Sequence, residues 1–300
     1  MPKYRVPFTK EGRVMPSINT ISADKLSRLI GTPKAPILID VRTDEDFGAD
    51  PRLIPGSVRR PYAKAPEWGT ALAGRAAVVV CQRGLKLSHG TAAWLRYEGI
   101  PADALDGGFE AWRDGRLSLV PEQKLPPRDA SGRTVWVTRS RPKVDRIACP
   151  WLIRRFVDPG AVFLFVPPAE VEAVGDRFAA TPFDIEGVLW SHRGEKCTFD
   201  VMVEEFHLAT EPLLRLAAIV RGADTARLDL APEAPGLLAA SLGLSRMYAD
   251  DLEQLEAGII LYDAFYRWCR DASDEIHNWP SNKSGAAKMS KGASGAAPAP

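Results

Sequence analysis

The sequence has few cysteines and no long apolar run, and both absences exclude classes of protein. Its 300 residues include only four cysteines, at the widely spaced positions 81, 149, 197 and 269. They form neither a disulfide framework nor a paired zinc-binding motif, so we expect reduced thiols. No stretch approaches the roughly 20 apolar residues of a transmembrane helix, and no apolar segment of a signal peptide follows the N-terminus. We therefore expect a cytoplasmic protein with no membrane partner.

The chain also has almost no net charge. Its 39 lysines and arginines against 38 aspartates and glutamates give a formal charge of +1 at pH 7. Charge therefore gives no general reason to expect nucleic acid as a partner, and the sequence has no helix-turn-helix pattern, extended basic stripe or internal repeat. The length suggests two domains of about 150 residues each.

One stretch in the first half has the features of a reactive thiol site. The apolar run at residues 78–80 ends at Cys81, and a short loop with Gly84 and two cations leads into a helical pattern. A cysteine at the carboxyl end of a buried strand faces the crevice where α/β proteins bind ligands. The loop amides, the helix N-terminus, Arg83 and Lys86 would all favour the thiolate. A buried structural cysteine is the alternative.

Strands alternate with helices through this half, which predicts a parallel sheet covered by helices on both faces. The predicted elements are a short helix with Ser22 as N-cap, strands at 36–41, 77–81 and 102–105, and helices at 87–98 and 108–114. Residues 121–133 are rich in proline and charge and hold little that could pack, so they are predicted to form an extended linker.

The second half is predicted to be a mixed, mostly helical α/β domain over residues 134–272. Asp145 is placed to cap a helix at 147–156, in whose first turn Pro150 fits. The other predicted elements are strands at 134–138 and 162–166 and helices near 198–208, 211–222, 233–243 and 247–270. Residues 273–300 are rich in small residues, lysine and proline and are expected to be disordered.

Histidine and carboxylates in the second half suggest a metal site. His192 lies on a glycine-containing loop, and Asp200 and Glu204 fall on one face of the following helix. Asp145 and Asp224 are further candidate ligands. Imidazole and carboxylates suit Fe, Mn or Zn, but no compact motif such as HExxH identifies the metal. A solvated polar helix face is the alternative.

Four motifs around Cys81 carry a family resemblance. They are Asp-Val-Arg at 40–42, Ile-Pro-Gly-Ser at 54–57, the loop of Cys81 and the five residues after it, which ends at Lys86, and Gly-Gly-Phe-Glu-Ala-Trp at 107–112. Through these four motifs, residues 17–120 resemble the rhodanese-type sulfurtransferases. Two departures are Lys86, where many members have arginine, and Leu53, where a histidine is common. Loss of the planar guanidinium fork leaves the substrate preference open.

The resemblance implies an activity and a set of site residues. Cys81 would take a sulfane sulfur from thiosulfate or a similar donor as a persulfide and pass it to a thiol acceptor, with no cofactor in this domain. The residues implied as catalytic are Cys81, Arg83, Lys86, Asp40 and Arg42, and those implied to bind the substrate anion are Gln82, Gly84 and Leu85.

Three segments of the second half, at 146–156, 191–200 and 220–224, resemble the C-terminal domain of ChrB-type chromate-resistance proteins. That resemblance implies chromate resistance, a regulatory role or a metal-dependent redox activity. Arg146 and Arg154, near a helix N-terminus, are candidates to bind a tetrahedral oxyanion such as chromate. A charged surface whose arginine stems cover apolar area is the alternative.

Together these features predict a sulfurtransferase coupled to a metal- or oxyanion-binding chromate-resistance domain. Two alternatives stay open: a chromate-responsive regulator with a non-catalytic rhodanese module, and a metal-dependent chromate reductase. A phosphatase or arsenate reductase is disfavoured, because the six-residue loop from Cys81 to Lys86 is short and does not end in arginine.

Overall fold

A computed structural model describes residues 19–275, which form two α/β units. The strands of the first unit are β1 (Thr20–Ile21), β2 (Ile37–Asp40), β3 (Arg52–Leu53), β4 (Ser57–Arg59), β5 (Ala77–Val80), β6 (Ala102–Leu105) and β7 (Val120–Pro121). Its helices are α1 (Ala23–Ser27), α2 (Asp44–Ala49), α3 (Ala65–Trp68), α4 (Lys86–Tyr97) and α5 (Gly108–Asp114). Five strands form a parallel sheet in the order β1-β6-β5-β2-β4, and β3 pairs with β7 in an antiparallel ribbon.

Both faces of the five-stranded sheet are buried, which explains the continuous apolar runs in its strands. Val79 and Cys81 belong to the apolar cluster formed with Leu95 of α4, whereas Val78 and Val80 belong to the cluster on the opposite side. Helices α1 and α5 contribute to that second cluster. The predicted parallel sheet with helices on both faces is confirmed, and β6 and α5 have the predicted bounds.

The second unit has three parallel strands and six α-helices. The strands are β8 (Val135–Arg139), β9 (Val162–Val166) and β10 (Thr181–Pro182), in the order β10-β8-β9. The helices are α6 (Asp145–Leu152), α7 (Val171–Phe178), α8 (Thr198–Glu205), α9 (Glu211–Asp224), α10 (Ala234–Met247) and α11 (Asp251–Asp271). The mixed, mostly helical class is confirmed, but α7 and the two-residue β10 were not predicted.

Helix α6 differs from its prediction in two respects. It begins at Asp145, so Pro150 is the sixth helical residue and not part of the first turn. Proline has no N–H, so the carbonyl of Arg146 lacks its usual helical partner. The chain then continues as a π-helical turn over Ile153–Val157, a departure from α geometry that is consistent with this interruption.

The two units share one apolar core. Ile30 and Trp112 of the first unit belong to the same buried cluster as Phe156 and Tyr266 of the second. The backbone N–H of Gly56 also donates to the carbonyl of Phe156 at 2.6 Å. The interface is therefore built from tightly packed apolar side chains and backbone contacts.

The segment at 121–133 is more closely packed than predicted. Pro121 is buried in β7, and Leu125 packs against the shared core. The ammonium of Lys124 pairs with the Glu205 carboxylate at 2.5 Å. The expectation that this segment holds little that could pack is therefore wrong at these positions.

Some predictions fall outside the described residues. They concern residues 17 and 18 of the first predicted domain and residues 276–300 of the predicted tail. Within residues 19–275, no helix combines the length and the apolar character that crossing a membrane requires.

Candidate functional site

Cys81 lies where β5 gives way to the loop before α4. Its side chain is buried, with 4% of the residue exposed. The Sγ atom accepts a hydrogen bond from the backbone N–H of Leu85 at 3.3 Å and lies 3.1 Å from the Ser88 hydroxyl. The loop thus curls around the sulfur and directs a backbone N–H at it.

Two glycines hold this loop in place. Gly84 and Gly108 have φ of +66° and +61°, in the left-handed region that glycine adopts without strain. A Cβ on Gly108 would lie 2.3 Å from both the Cys81 carbonyl oxygen and the Gly84 nitrogen. The N–H of Phe109 donates to the Cys81 carbonyl at 2.9 Å. The backbone of the Gly-Gly-Phe segment therefore packs directly against the backbone of the cysteine loop and holds it in place.

The two loop cations differ in their surroundings. The guanidinium of Arg83 lies 3.5 Å from the Glu110 carboxylate, which also accepts a hydrogen bond from the Gln82 amide at 3.1 Å. Lys86, by contrast, is exposed and makes no ion pair within residues 19–275. Lys86 is thus the loop cation whose charge is not offset by a neighbouring carboxylate.

Asp40 and Arg42 form a buried ion pair with a 2.6 Å contact. Arg42 also donates to the carbonyls of Asp50 at 3.0 Å and Arg52 at 2.6 Å, and its guanidinium lies 3.8 Å from the centre of the Phe109 ring. Phe109 follows the glycines that brace the cysteine loop. The ion pair of Asp40 and Arg42 therefore packs against the residue that follows these glycines.

A second constellation lies in the second unit. The Nε2 atom of His192 is 3.2 Å from a carboxylate oxygen of Asp224 and 3.5 Å from oxygens of Asp145 and Asp184. These residues come from the end of α9, the start of α6 and the segment after β10, while His192 precedes α8. The sequence singled out three of the four as metal candidates. Asp184 was missed.

Asp145 is wholly buried and caps a different helix from the one predicted. Its carboxylate accepts hydrogen bonds from the backbone N–H groups of Thr198 at 2.6 Å and Phe199 at 3.3 Å. These N–H groups have no partner within α8, and a carboxylate is stabilised at the N-terminus of a helix. The prediction that Asp145 caps its own helix is therefore wrong, because α6 begins at Asp145 and leaves the side chain free to reach α8.

Asp184 is held from several sides. The Thr198 hydroxyl donates to it at 2.9 Å, and the guanidinium groups of Arg139 and Arg146 lie 3.1 and 3.4 Å away. Its backbone φ is +52°, which is uncommon for a residue other than glycine. The strand before it, β10, has only two residues, too few to show a strand pattern in the sequence.

Burial and crowding shift the ionisation of this cluster. Burial, reinforced by the charges of Asp145 and Asp184, raises the pKa of Asp224 to about 7. Hydrogen bonds to Asp145 and Asp184 raise the pKa of His192 to about 10. Burial also raises the pKa of Asp145. Three carboxylates this close thus favour a positive charge among them, either a proton on the imidazole or a cation.

Two predicted metal ligands lie outside this cluster. Asp200 pairs with Arg221 at 2.7 Å and accepts the backbone N–H of Cys197 at 3.0 Å. Glu204 forms an ion pair with Lys196 on the surface. The structure therefore brings Asp145 and Asp224 to His192 but does not bring Asp200 or Glu204 there.

Arg146 and Arg154 do not converge on one anion site. Arg146 faces Asp184 and donates to the carbonyls of Arg139 at 3.2 Å and Ser140 at 2.9 Å. Arg154 instead pairs with Glu256 at 2.5 Å. Both guanidinium groups are thus already engaged by acceptors of the protein.

An open cleft of about 480 Å³ leads to the His192 cluster. The lining side chains include Arg139, Asp184, Ser191 and His192. A small ligand in this cleft would reach the imidazole and one of the carboxylates directly.

Comparison with known proteins identifies two domains in this chain. A rhodanese-like domain matches residues 22–114, and the C-terminal domain of ChrB matches residues 136–269. The chain is also 37% identical over 193 residues to Protein ChrB of Cupriavidus metallidurans. That match covers 59% of this chain and 57% of the relative, so the chain spans little more than half the length of that protein.

Solved structures similar to the chain include a rhodanese-related protein from Thermoplasma volcanium, 23% identical over 35% of this chain and 99% of that one, with a TM-score of 0.31. A thiosulfate sulfurtransferase from Pseudomonas aeruginosa is 22% identical over 39% of this chain and 21% of its own, with a TM-score of 0.30. A rhodanese-like domain protein from Staphylococcus aureus is 27% identical over 32% of this chain and 91% of its own, with a TM-score of 0.29.

Proposed function

For a chain that carries a rhodanese-like domain followed by a ChrB C-terminal domain, we propose a sulfurtransferase that acts in chromate resistance through Cys81. The fusion of these two domains is consistent with chromate resistance. The observation that carries the proposal is the Cys81 sulfur at the carboxyl end of a buried strand, where it accepts the Leu85 N–H. The backbone amide directed at the sulfur supports a nucleophilic thiolate.

The first step is attack of the Cys81 thiolate on the outer sulfur of thiosulfate. A new sulfur–sulfur bond forms, the bond within thiosulfate breaks, and sulfite leaves with the bonding electron pair. Cys81 then carries a persulfide. The Leu85 amide stabilises the charge on sulfur, and the unpaired charge of Lys86 attracts the dianionic donor.

The second step returns the enzyme to its starting state. The thiolate of an acceptor attacks the outer sulfur of the persulfide, and Cys81 leaves as a thiolate. No net oxidation or reduction of the protein occurs over the cycle. Because the two glycines fix the loop, the sulfur stays beside the amide in both steps.

Intact-protein mass spectrometry after incubation with thiosulfate tests this proposal. The full-length chain should gain about 32 Da, the mass of one sulfur in a persulfide. Cys81→Ser should gain nothing, whereas Cys269→Ser, which removes a buried cysteine of the other unit, should gain as much as the wild type. Addition of a small thiol should then remove the added mass.

Chromate resistance is tested separately, by growth of a sensitive bacterial strain that expresses the protein. We expect Cys81→Ser to lower the tolerated chromate concentration relative to the wild type. If no sulfane donor adds sulfur to the wild type, the sulfurtransferase proposal fails. Unchanged resistance in Cys81→Ser would then favour a regulatory protein whose rhodanese-like domain does not turn over.

A further inference from the structure

We propose that the second unit binds one divalent first-row transition-metal ion between His192, Asp145 and Asp184, with Asp224 beside the imidazole. The inference does not depend on sulfur transfer at Cys81, since it concerns residues of the other unit. It rests on the spacing of the ligand atoms, on the contacts that orient them, and on an unpaired buried donor beside them.

The spacing matches the dimensions of a metal site. Ligand nitrogen and oxygen atoms lie about 2.0–2.2 Å from zinc, so two ligands of one tetrahedral ion are about 3.4 Å apart. The Nε2 atom of His192 lies 3.2 Å from Asp224 and 3.5 Å from both Asp145 and Asp184. One ligand atom each from Asp145, Asp184 and His192 lie within 4.8 Å of one another. These three ligand atoms are therefore close enough to converge on one shared ion, with Asp224 next to the imidazole.

One residue orients two of the carboxylates. The backbone N–H of Thr198 donates to Asp145 at 2.6 Å, and its hydroxyl donates to Asp184 at 2.9 Å. Both Asp145 and Asp184 are buried. Such contacts hold ligating carboxylates in place in metal sites and increase the affinity for the metal.

The rim of the site has a donor without an acceptor. The Nε atom of Arg139 is buried and has no hydrogen-bond partner among the described residues, although its Nη2 atom donates to Asp184 at 3.1 Å. Arg139 lines the open cleft together with His192 and Asp184. The guanidinium of Arg139 thus borders both the cleft and the cluster.

The ligand set indicates the class of metal. Carboxylates together with one imidazole suit Mn²⁺, Fe²⁺ or Zn²⁺, whereas Ca²⁺ and Mg²⁺ prefer oxygen ligands alone. Cu⁺ prefers thiolate and thioether ligands. In the competing arrangement, a protonated His192 bridges the three carboxylates and no metal binds.

Metal binding to the full-length protein separates these arrangements. The protein is first stripped with a chelator, then dialysed against Mn²⁺, Co²⁺ or Zn²⁺, and its metal content is measured by elemental analysis. We expect one ion per chain and a rise in the unfolding temperature that saturates at the same ratio. His192→Gln and Asp184→Asn should each weaken binding at least tenfold.

Three controls accompany this measurement. Glu204→Gln alters an exposed carboxylate of the same unit outside the cluster, so it should bind metal as the wild type does. Cys81→Ser should also bind normally, which separates this site from sulfur transfer. His192 is 42% exposed, so His192→Gln is expected to fold, and its circular dichroism should match that of the wild type.

Two results would overturn the proposal. One is a stripped wild-type protein that takes up none of the three ions. The other is uptake that stays at wild-type affinity in both His192→Gln and Asp184→Asn, which would place any bound metal elsewhere.

Discussion

The carboxylate of Asp145 lies 2.6 Å from the backbone nitrogen of Thr198, 53 residues further along the chain. A residue at the start of α6 thereby caps α8, and the same carboxylate faces His192 at 3.5 Å. The contact that joins two helices of the second unit thus also builds its candidate metal site. Stability and site geometry are therefore coupled at this residue.

Removal of this cap should destabilise the protein. In Asp145→Ala the amides of Thr198 and Phe199 lose their acceptor in a buried setting, which costs about 2–3 kcal/mol of the free energy of unfolding. Denaturant unfolding measures the loss. Asp176→Ala removes an exposed aspartate in α7 and should change the value by less than about 0.5 kcal/mol. Equal losses in the two variants would show that Asp145 has no special role.

The cysteine loop could be predicted from the sequence because its parts are contiguous. The strand, Cys81 and the following helix occupy one short stretch, and local patterns describe such stretches well. The His192 cluster is different, since its four side chains come from four separate segments. A helical face placed Asp200 and Glu204 on one side of α8, but it gave no information on which segment packs against that side. Asp184 follows a strand of only two residues, so no periodic pattern marked it.

Loss of the Arg42 charge should destabilise the first unit strongly. In Arg42→Met the Asp40 carboxylate stays buried without its partner, which costs roughly 3–5 kcal/mol. Arg28→Met is the matched control, because its pair with Asp24 is largely exposed and contributes at most about 1 kcal/mol. The double variant Asp40→Asn and Arg42→Met should recover part of the loss. Unfolding curves that place Arg42→Met level with Arg28→Met would contradict the inferred burial.

Gly108→Ala should disrupt sulfur uptake by Cys81. The new Cβ would lie 2.3 Å from the Cys81 carbonyl oxygen, so the loop must move, and we expect at least a tenfold slower gain of the persulfide mass. Gly90→Ala in α4 is the control, because its Cβ would meet nothing within 4 Å and alanine is the better helix former. That variant should be about 0.5–1 kcal/mol more stable and react normally. A normal rate in Gly108→Ala would show that the loop position is not critical.

Alkylation of Cys269 in the folded protein should require a higher pH than alkylation of an ordinary thiol. Burial raises the pKa of this thiol to about 11, and only the thiolate reacts. Compared with the ordinary thiol value of about 8.5, this pKa lowers the thiolate fraction at pH 8 by more than about a hundredfold. Native labelling followed by peptide mass mapping should therefore rise steeply between pH 9 and about 11. In denaturant the rise should occur near pH 8.5, the ordinary thiol value. A native profile identical to the denatured one would show that Cys269 is not held in its buried site.

The two loop cations should contribute unequally to sulfur transfer. Lys86 makes no ion pair among residues 19–275, so its full charge is available to the anionic donor, whereas Arg83 lies 3.5 Å from Glu110. We expect Lys86→Gln to slow persulfide formation about tenfold or more, since loss of one group that stabilises an anion has at least this effect. Arg83→Gln should change the rate less than about threefold.

Glu110→Gln supplies the reciprocal test, because it frees the Arg83 charge and should speed the reaction with thiosulfate. Rates are followed by mass spectrometry at low and high salt, and the Lys86 effect should shrink with salt as exposed charges are screened. Equal losses in Lys86→Gln and Arg83→Gln would show that Glu110 does not offset the Arg83 charge.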